Sequence, residues 1–413
     1  MTTTAAFPAS CSIESSRTAN FISQLACAVL LLFTYATQAQ TLRVLHTFSG
    51  ADGLSPYSGV TQDRAGNLYG TTYAGGSTQL GTVYELKRVG SNYTHNQLHV
   101  FAGGNDGEQP YGGVVFGTDQ GLYGTTWAGG ASDAGTVFAL RPFPTFCRTV
   151  LCPWMESLQF DLGTDRNLDP AYGNVVFDPA GNLYGTSAFG GISEYGTVYE
   201  LSRSGNGWSG SLVYEFQGDD LNYPAHNVIF DIAGNLYGTT AGPGEGGVFQ
   251  LVRSQSGWTE RILADFGTPG TCPGYDISGL IMDAAGNLYG GTTGDGVTAC
   301  IYEMSNSGGT WQFTVLYTFN ISNNGEGPVG NMVFDSAGNL YGTTKQLGAF
   351  GMGNIFKLTH SGGVWTYSDL YDFSDSGDGA NPTGDLIIDS AGNLYGTNQG
   401  DQSGHGVVWE LTP

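Results

Sequence analysis

The 413-residue chain carries a formal net charge of −23 with only 13 Lys plus Arg, so it has no electrostatic footprint for nucleic acid or an anionic membrane surface. Charged residues make up 12% and aromatics 13%, which excludes a disordered chain. The 67 glycines beside so many aromatics suit short strands joined by tight turns.

The N-terminus reads as a targeting segment. Residues 21–35 (FISQLACAVLLLFTY) are an apolar run behind Arg17, and Thr37 and Ala39 supply small residues for cleavage before Gln40. This predicts a signal peptide over 1–39 and a secreted, periplasmic or extracellular protein. The alternative is a retained anchor, although the run is short for a membrane span, and no later stretch is apolar enough to be one. Four cysteines follow Cys27: Cys147, Cys152, Cys272 and Cys300. An even number in an exported chain favours disulfides, and their spacing is unlike a zinc site. Cys147 with Cys152 pins a local loop, and Cys272 with Cys300 is the second expected pair.

Residues 40–413 form one domain, organised around an octapeptide best read at Asp389-Ser-Ala-Gly-Asn-Leu-Tyr-Gly396. Copies start at Asp63, Asp178, Asp231, Asp283 and Asp335, and a decayed copy runs from Gly117 to Gly124. The motif tyrosines are Tyr69, Tyr123, Tyr184, Tyr237, Tyr289, Tyr341 and Tyr395. Such a period means one supersecondary unit repeated. In the sixth copy, Asn331–Phe334 is an apolar strand A, and Asp335–Gly338 is a turn. Asn339–Thr344 is strand B, Asn354–Leu358 is strand C, and Val364–Phe373 is strand D. Four antiparallel strands per repeat is a propeller blade. Only the second repeat is enlarged, by Arg141–Pro153.

The ends predict the closure. The seventh repeat stops at strand C, Gly406–Leu411, while Leu42–Phe48 reads as a strand D with no blade before it. The N-terminal strand therefore completes blade seven, giving an all-β, seven-bladed propeller without exposed sheet edges. The A–B and C–D turns lie on one face. The longer, variable B–C and D–A loops lie on the other, where binding is expected.

The octapeptide, its Thr-Thr, the Gly-Gly loop and Gly-Thr-Val-Tyr-Glu-Leu resemble the bacterial GloVer (Gloeobacter/Verrucomicrobia) tandem repeat, in all seven copies from Thr41 onward. The resemblance implies an exported protein and no established activity. Members often carry a C-terminal sorting anchor, and this sequence departs from that pattern in ending at Leu411-Thr-Pro413. A weaker likeness to kelch repeats supports the fold only.

Four candidate chemistries follow. The motif Asp and Tyr read as a turn cap and as packing between blades. Acidic residues of the variable face include Asp52, Asp106, Asp219, Asp220, Asp375 and Asp378. Calcium at the last five is a possible role beside that of solvated turns, and no other cofactor is expected. The channel mouth is set four residues before each motif Asp, at Gly59, Gly113, Asn174, Asn227, Gly279, Asn331 and Asp385. With Tyr57, Tyr111, Tyr172 and His226 these make a ligand funnel. His226 is its one acid–base candidate, with Asp385 as partner across the axis through a bridging substrate.

The reading is a monomeric, non-catalytic binding or scaffold propeller for a glycan or protein. The alternatives are a channel-mouth lyase or hydrolase and a calcium-stabilised matrix component.

Overall fold

The computed structural model describes residues 40–413 except 143–153, 165–172, 206, 219–220, 243–245, 256, 269–270, 273, 275, 294–298, 320–326, 347 and 401–403. Cys147, Cys152, Tyr172, Asp219, Asp220 and the signal segment lie outside the described residues. Among those described, no helix is long and apolar enough to cross a membrane.

Seven antiparallel sheets form the blades of a propeller. In blade one, Thr61–Gln62, Leu68–Thr72, Thr82–Val89 and Asn92–Val100 pair in sequence order as strands A to D. Strand B is buried throughout, because neighbouring blades cover both its faces, whereas strand D alternates with solvent on the rim. Blade seven closes as expected: Thr41–Thr47 pairs antiparallel with Val407–Thr412, with Leu42 opposite Leu411 and Val44 opposite Trp409. Strand boundaries differ in detail. Strand A keeps only two laddered residues in most blades, such as Val115–Phe116, while strand C of blade two runs Thr136–Pro142 and absorbs the start of the predicted insert.

The octapeptide works as one unit. In blade one the Asp63 Oδ1 atom accepts the backbone N–H groups of Ala65 and Asn67 at 2.8 and 2.9 Å. Its Oδ2 accepts from Asn67 Nδ2 at 2.7 Å and the Tyr69 hydroxyl at 3.2 Å. Gly66, at φ 83°, takes the left-handed position of the turn. The decayed copy in blade two solves the same problem differently. Asp119 accepts from Gly121 N–H at 3.1 Å and from the Tyr123 hydroxyl at 2.8 Å, and pairs with Arg141 and Arg203.

Each motif tyrosine then turns its ring to the next blade. Tyr69 meets Phe116, Tyr123 meets Phe177, Tyr184 meets Phe230 and Tyr289 meets Phe334, edge-on at 4.9–5.4 Å. The apolar core is accordingly divided into seven clusters, each drawing on two adjacent blades; Tyr395 and Val408, for instance, pack with Val60, Leu68 and Tyr84. The Cys272–Cys300 disulfide, with Cα atoms 6.1 Å apart, ties the loop before blade five to its strand C.

Candidate binding site at the axis mouth

The threonines after each motif tyrosine position the mouth. The first reaches across the seam to the loop that enters the next blade. Thr71 Oγ1 donates to Gly112 O at 2.9 Å, Thr186 to His226 O at 3.0 Å, and Thr397 to Ser58 O at 2.7 Å. The same loops are strapped further out by residues in left-handed conformation: Ser55, Gln109, Tyr223 and Asn381, at φ 54–56°. Tyr223 N–H donates to Tyr195 O at 2.8 Å, and Tyr223 O accepts from Ala241 N–H at 3.0 Å. A non-glycine residue held at such a φ stores strain that the surrounding bonds must hold in place.

These loops enclose a cavity of about 580 Å³ on the variable face, lined by Tyr57, Tyr111, Phe189, Tyr223, His226 and Lys345 among others. Tyr57 and Tyr111 stack at 4.9 Å with planes 12° apart, and Gln399 Nε2 donates to the Tyr57 hydroxyl at 2.9 Å. Phe189 is 42% exposed. In a chain of charge −23 the described residues of this lining include one cation, Lys345, and no carboxylate.

Below the cavity is a neck of about 60 Å³, lined by Asn174, His226, Asn227 and Asp385. Here the predicted funnel residues bond to one another. Asp385 Oδ1 accepts from Asn331 N–H at 2.7 Å, and its Oδ2 accepts from Asn174 Nδ2 at 2.8 Å and Asn331 Nδ2 at 3.1 Å. Asn331 Nδ2 also reaches Asn227 Oδ1 at 3.1 Å, and Asn174 Oδ1 accepts from Gly113 N–H at 2.5 Å. Blades three, four, six and seven therefore clasp hands across the axis, and Asp385 needs no bridging molecule to meet a partner there. The glycines in the series make room: a Cβ on Gly279 would overlap Asn331 Oδ1, and one on Gly59 would overlap Asp385 O.

His226 and Asp385 both line the neck, but both carboxylate oxygens of Asp385 are engaged by Asn donors. Among the acidic-loop candidates, Asp106 accepts from His99 Nε2 and Ala102 N–H, and those bonds hold its carboxyl below the usual range against the opposing effect of burial. Asp378 is buried and accepts from Tyr371, Ser374 and Ser376. Asp375 lies at the tip of that loop, at φ 59°. The sequence reading did not single out Phe189, Tyr223 or Lys345 as lining residues, although all three stand on the B–C and D–A loops it marked as variable; an aromatic or cation in a loop gives no sign of which way it faces.

The fold and site thus define a closed seven-bladed propeller with an aromatic-lined cavity over a polar clasp. The chain belongs to the Gloeobacter/Verrucomicrobia repeat family, whose model matches residues 31–157 and 274–413. No curated protein matches it. Among solved structures, one similar fold is described as the extracellular domain of a one-component system from B. thetaiotaomicron, with 11% identity and TM-score 0.56. That match covers 90% of this chain, which spans only 40% of the length of the other. A PQQ-bound aldose sugar dehydrogenase from Streptomyces coelicolor aligns at 12% identity over 90% of this chain and 98% of its own, with TM-score 0.44. A protein from Bacteroides uniformis described as a 6-phosphogluconolactonase aligns at 13% over 81% and 93%, with TM-score 0.49. At these identities the likeness concerns the fold alone.

Proposed function

We propose that the protein is an exported, non-catalytic binding propeller that takes the end of a glycan chain into the axial cavity. The observation that carries this reading is the 580 Å³ cavity itself, walled by aromatic side chains on loops held rigid from both sides. Aromatic faces with a few convergent polar groups are what a sugar ring needs, apolar on its faces and hydroxylated on its edge. The volume lies within the range of small-ligand pockets, roughly 300–1,000 Å³. Binding is favoured over catalysis because Asp385, the one carboxylate among the described residues of the neck, is engaged by the Asn donors around it. Export is supported by the apolar segment at residues 21–35 together with the Cys272–Cys300 disulfide, which suits an oxidising compartment.

A thermal-shift screen against soluble oligosaccharides, acidic ones included because of Lys345, tests the proposal. A ligand that binds only the folded state raises the melting temperature by mass action. We expect a hit whose shift is lost in Phe189→Ala and Lys345→Ala, both retaining the unliganded melting temperature. Binding that survives both changes, or a screen empty of glycans while a protein partner competes for this face, would overturn the glycan reading.

A further inference from the structure

The rim of the molecule repeats a second position that the axis does not use. Two residues before the buried apolar residue that follows each strand D, a phenylalanine in six blades and Leu162 in blade two, a side chain faces the seam, and opposite it stands the strand D residue that pairs with the last core residue of strand C in the next blade. Following the register, the pairs are His46 with His95, His99 with Glu156, Phe160 with Gly210, Tyr214 with Glu260, Ala264 with Phe313, Tyr317 with Tyr367, and Tyr371 with Leu42. Most are space-filling complements. Tyr317 stacks on Tyr367 at 4.4 Å, and a Cβ on Gly210 would lie 2.6 Å from Phe160. The seam between blades seven and one is different in kind, because it sets two imidazoles beside a carboxylate.

His46 comes from the N-terminal closing strand, Asp52 from the loop after it, and His95 from strand D of blade one. One ligating atom from each lies within 4.8 Å of the other two. His46 Nε2 is 3.0 Å from Asp52 Oδ2. The rings of His46 and His95 are stacked at 4.4 Å, 12° from parallel, and His95 Nε2 is buried without a hydrogen-bond partner. A buried ring nitrogen with nothing to bond is costly, and two stacked imidazoles pointed at a carboxylate are an uneconomical way to fill space that Tyr317 and Tyr367 fill with two phenols. Asp52 is already oriented: its Oδ1 accepts from Ser49 N–H and from Ser49 Oγ, both at 2.8 Å, leaving Oδ2 facing His46. That is the outer-shell support a ligating carboxylate usually has.

We propose that His46, Asp52 and His95 form a binding site for a divalent first-row transition metal of the zinc class, clipped across the seam where the ring closes. Imidazole and carboxylate donors suit zinc, nickel, copper or iron(II) over calcium and magnesium. Ligand atoms around a tetrahedral zinc stand about 3.3–3.5 Å apart for bonds of 2.0–2.1 Å, and each ring must hold the ion near its own plane, so binding requires one of the two stacked imidazoles to turn out of the stack. The ion replaces the proton that His46 now shares with Asp52, and it supplies the missing partner of His95. Three protein donors leave at least one position open to water or an outside ligand. The donors belong to the chain's first strand, its following loop and its first complete blade, so the ion would fasten the N-terminal strand from its outer side.

The test uses purified protein stripped with chelator. Zinc is titrated in competition with a chromophoric chelator, and cobalt(II) is followed by its ligand-field absorption. We expect one saturable zinc site per chain, a cobalt spectrum of a mixed nitrogen–oxygen site, and a rise in melting temperature with zinc. His95→Phe keeps the stacked ring and removes the donor, and Asp52→Asn keeps the shape. Each should weaken zinc by at least the roughly 10–100-fold that loss of a supporting residue costs a metal site, while His99→Gln leaves it unchanged. Absence of saturable binding, or equal zinc affinity in His95→Phe and Asp52→Asn folded as the native protein is, would overturn the proposal. Weak binding that survives both substitutions belongs to the acidic loops and counts against it as well.

Discussion

Asp385→Ala should be the most damaging single change at the axis. It removes the acceptor of three hydrogen bonds and strands their donors, the Asn331 backbone N–H and the Asn174 and Asn331 side-chain amides, in a part-buried neck. Bonds to a charged group each contribute about 1.5–3 kcal/mol net, and three that share one carboxylate do not add, so about 4 kcal/mol is a reasonable total. At about 2.1 cal/mol/K per residue, a propeller of residues 40–413 that unfolds as one unit has an unfolding entropy of roughly 0.8 kcal/mol/K. The melting temperature should then fall by about 5 °C. Calorimetry measures the shift, and urea unfolding gives the free energy. A cycle with Asn174→Ala should return a coupling of about 0.5–3 kcal/mol, since the two residues meet directly across the axis. A melting temperature within a degree of wild type, or a higher one, would refute the reasoning. The second result would mean that Asp385 is held there for a ligand at the expense of stability.

Two further outcomes follow from the seams and loops. Cys272→Ala with Cys300→Ala opens a loop of 28 residues, for which chain entropy gives a loss of about 3.5 kcal/mol; an oxidised protein as easily unfolded by urea as this double variant would contradict it. Glu156, with Oε1 buried and unbonded, is pushed up to about 7 by burial and by Asp106, against the opposing effect of His99, the other titratable group facing it. The native chain therefore holds this proton more tightly than the unfolded chain. The group's contribution to stability is complete below about pH 4.5 and is lost as pH rises through about 7. Glu156→Gln should gain on wild type across that window in pH-dependent unfolding, and a difference that stays constant with pH would show the carboxyl to be unperturbed.

Most of the architecture was legible because the repeat states its own local chemistry. Asp63, Gly66, Asn67 and Tyr69 fix a turn and a strand within a few residues of one another, and the missing strand after Leu411 answered to the orphan strand at Leu42. The axis was half legible. The alternation of Gly with Asn and Asp at the mouth pointed to side chains converging, but whether they line an opening or bond to one another depends on distances across the ring, which no local pattern encodes. Arg141 was read as the start of an insert, and it instead continues strand C to reach Asp119 in the decayed turn. His46 and His95 were invisible for a related reason. They are far apart in sequence and in different blades, and only the outer-strand register brings them together. The available signal was positional: His46 and His99 each stand two residues before the aromatic that follows strand D.

The division of the apolar core into seven separate clusters has a consequence for how such a chain changes over generations. Each cluster is a matter between two neighbours, so duplicating or deleting a blade leaves the composition of every seam nearly as it was. Each cluster registers the number of blades only through the angle between its two neighbours. The axis registers it across the whole ring. Asn174, Asn227, Asn331 and Asp385 meet only if their blades stand at the angles of a sevenfold ring, and a sixth-part or eighth-part turn would pull their amides out of reach. The polar clasp thus ties these four positions to a sevenfold ring, and a ring of another size would have to pair its axial side chains differently.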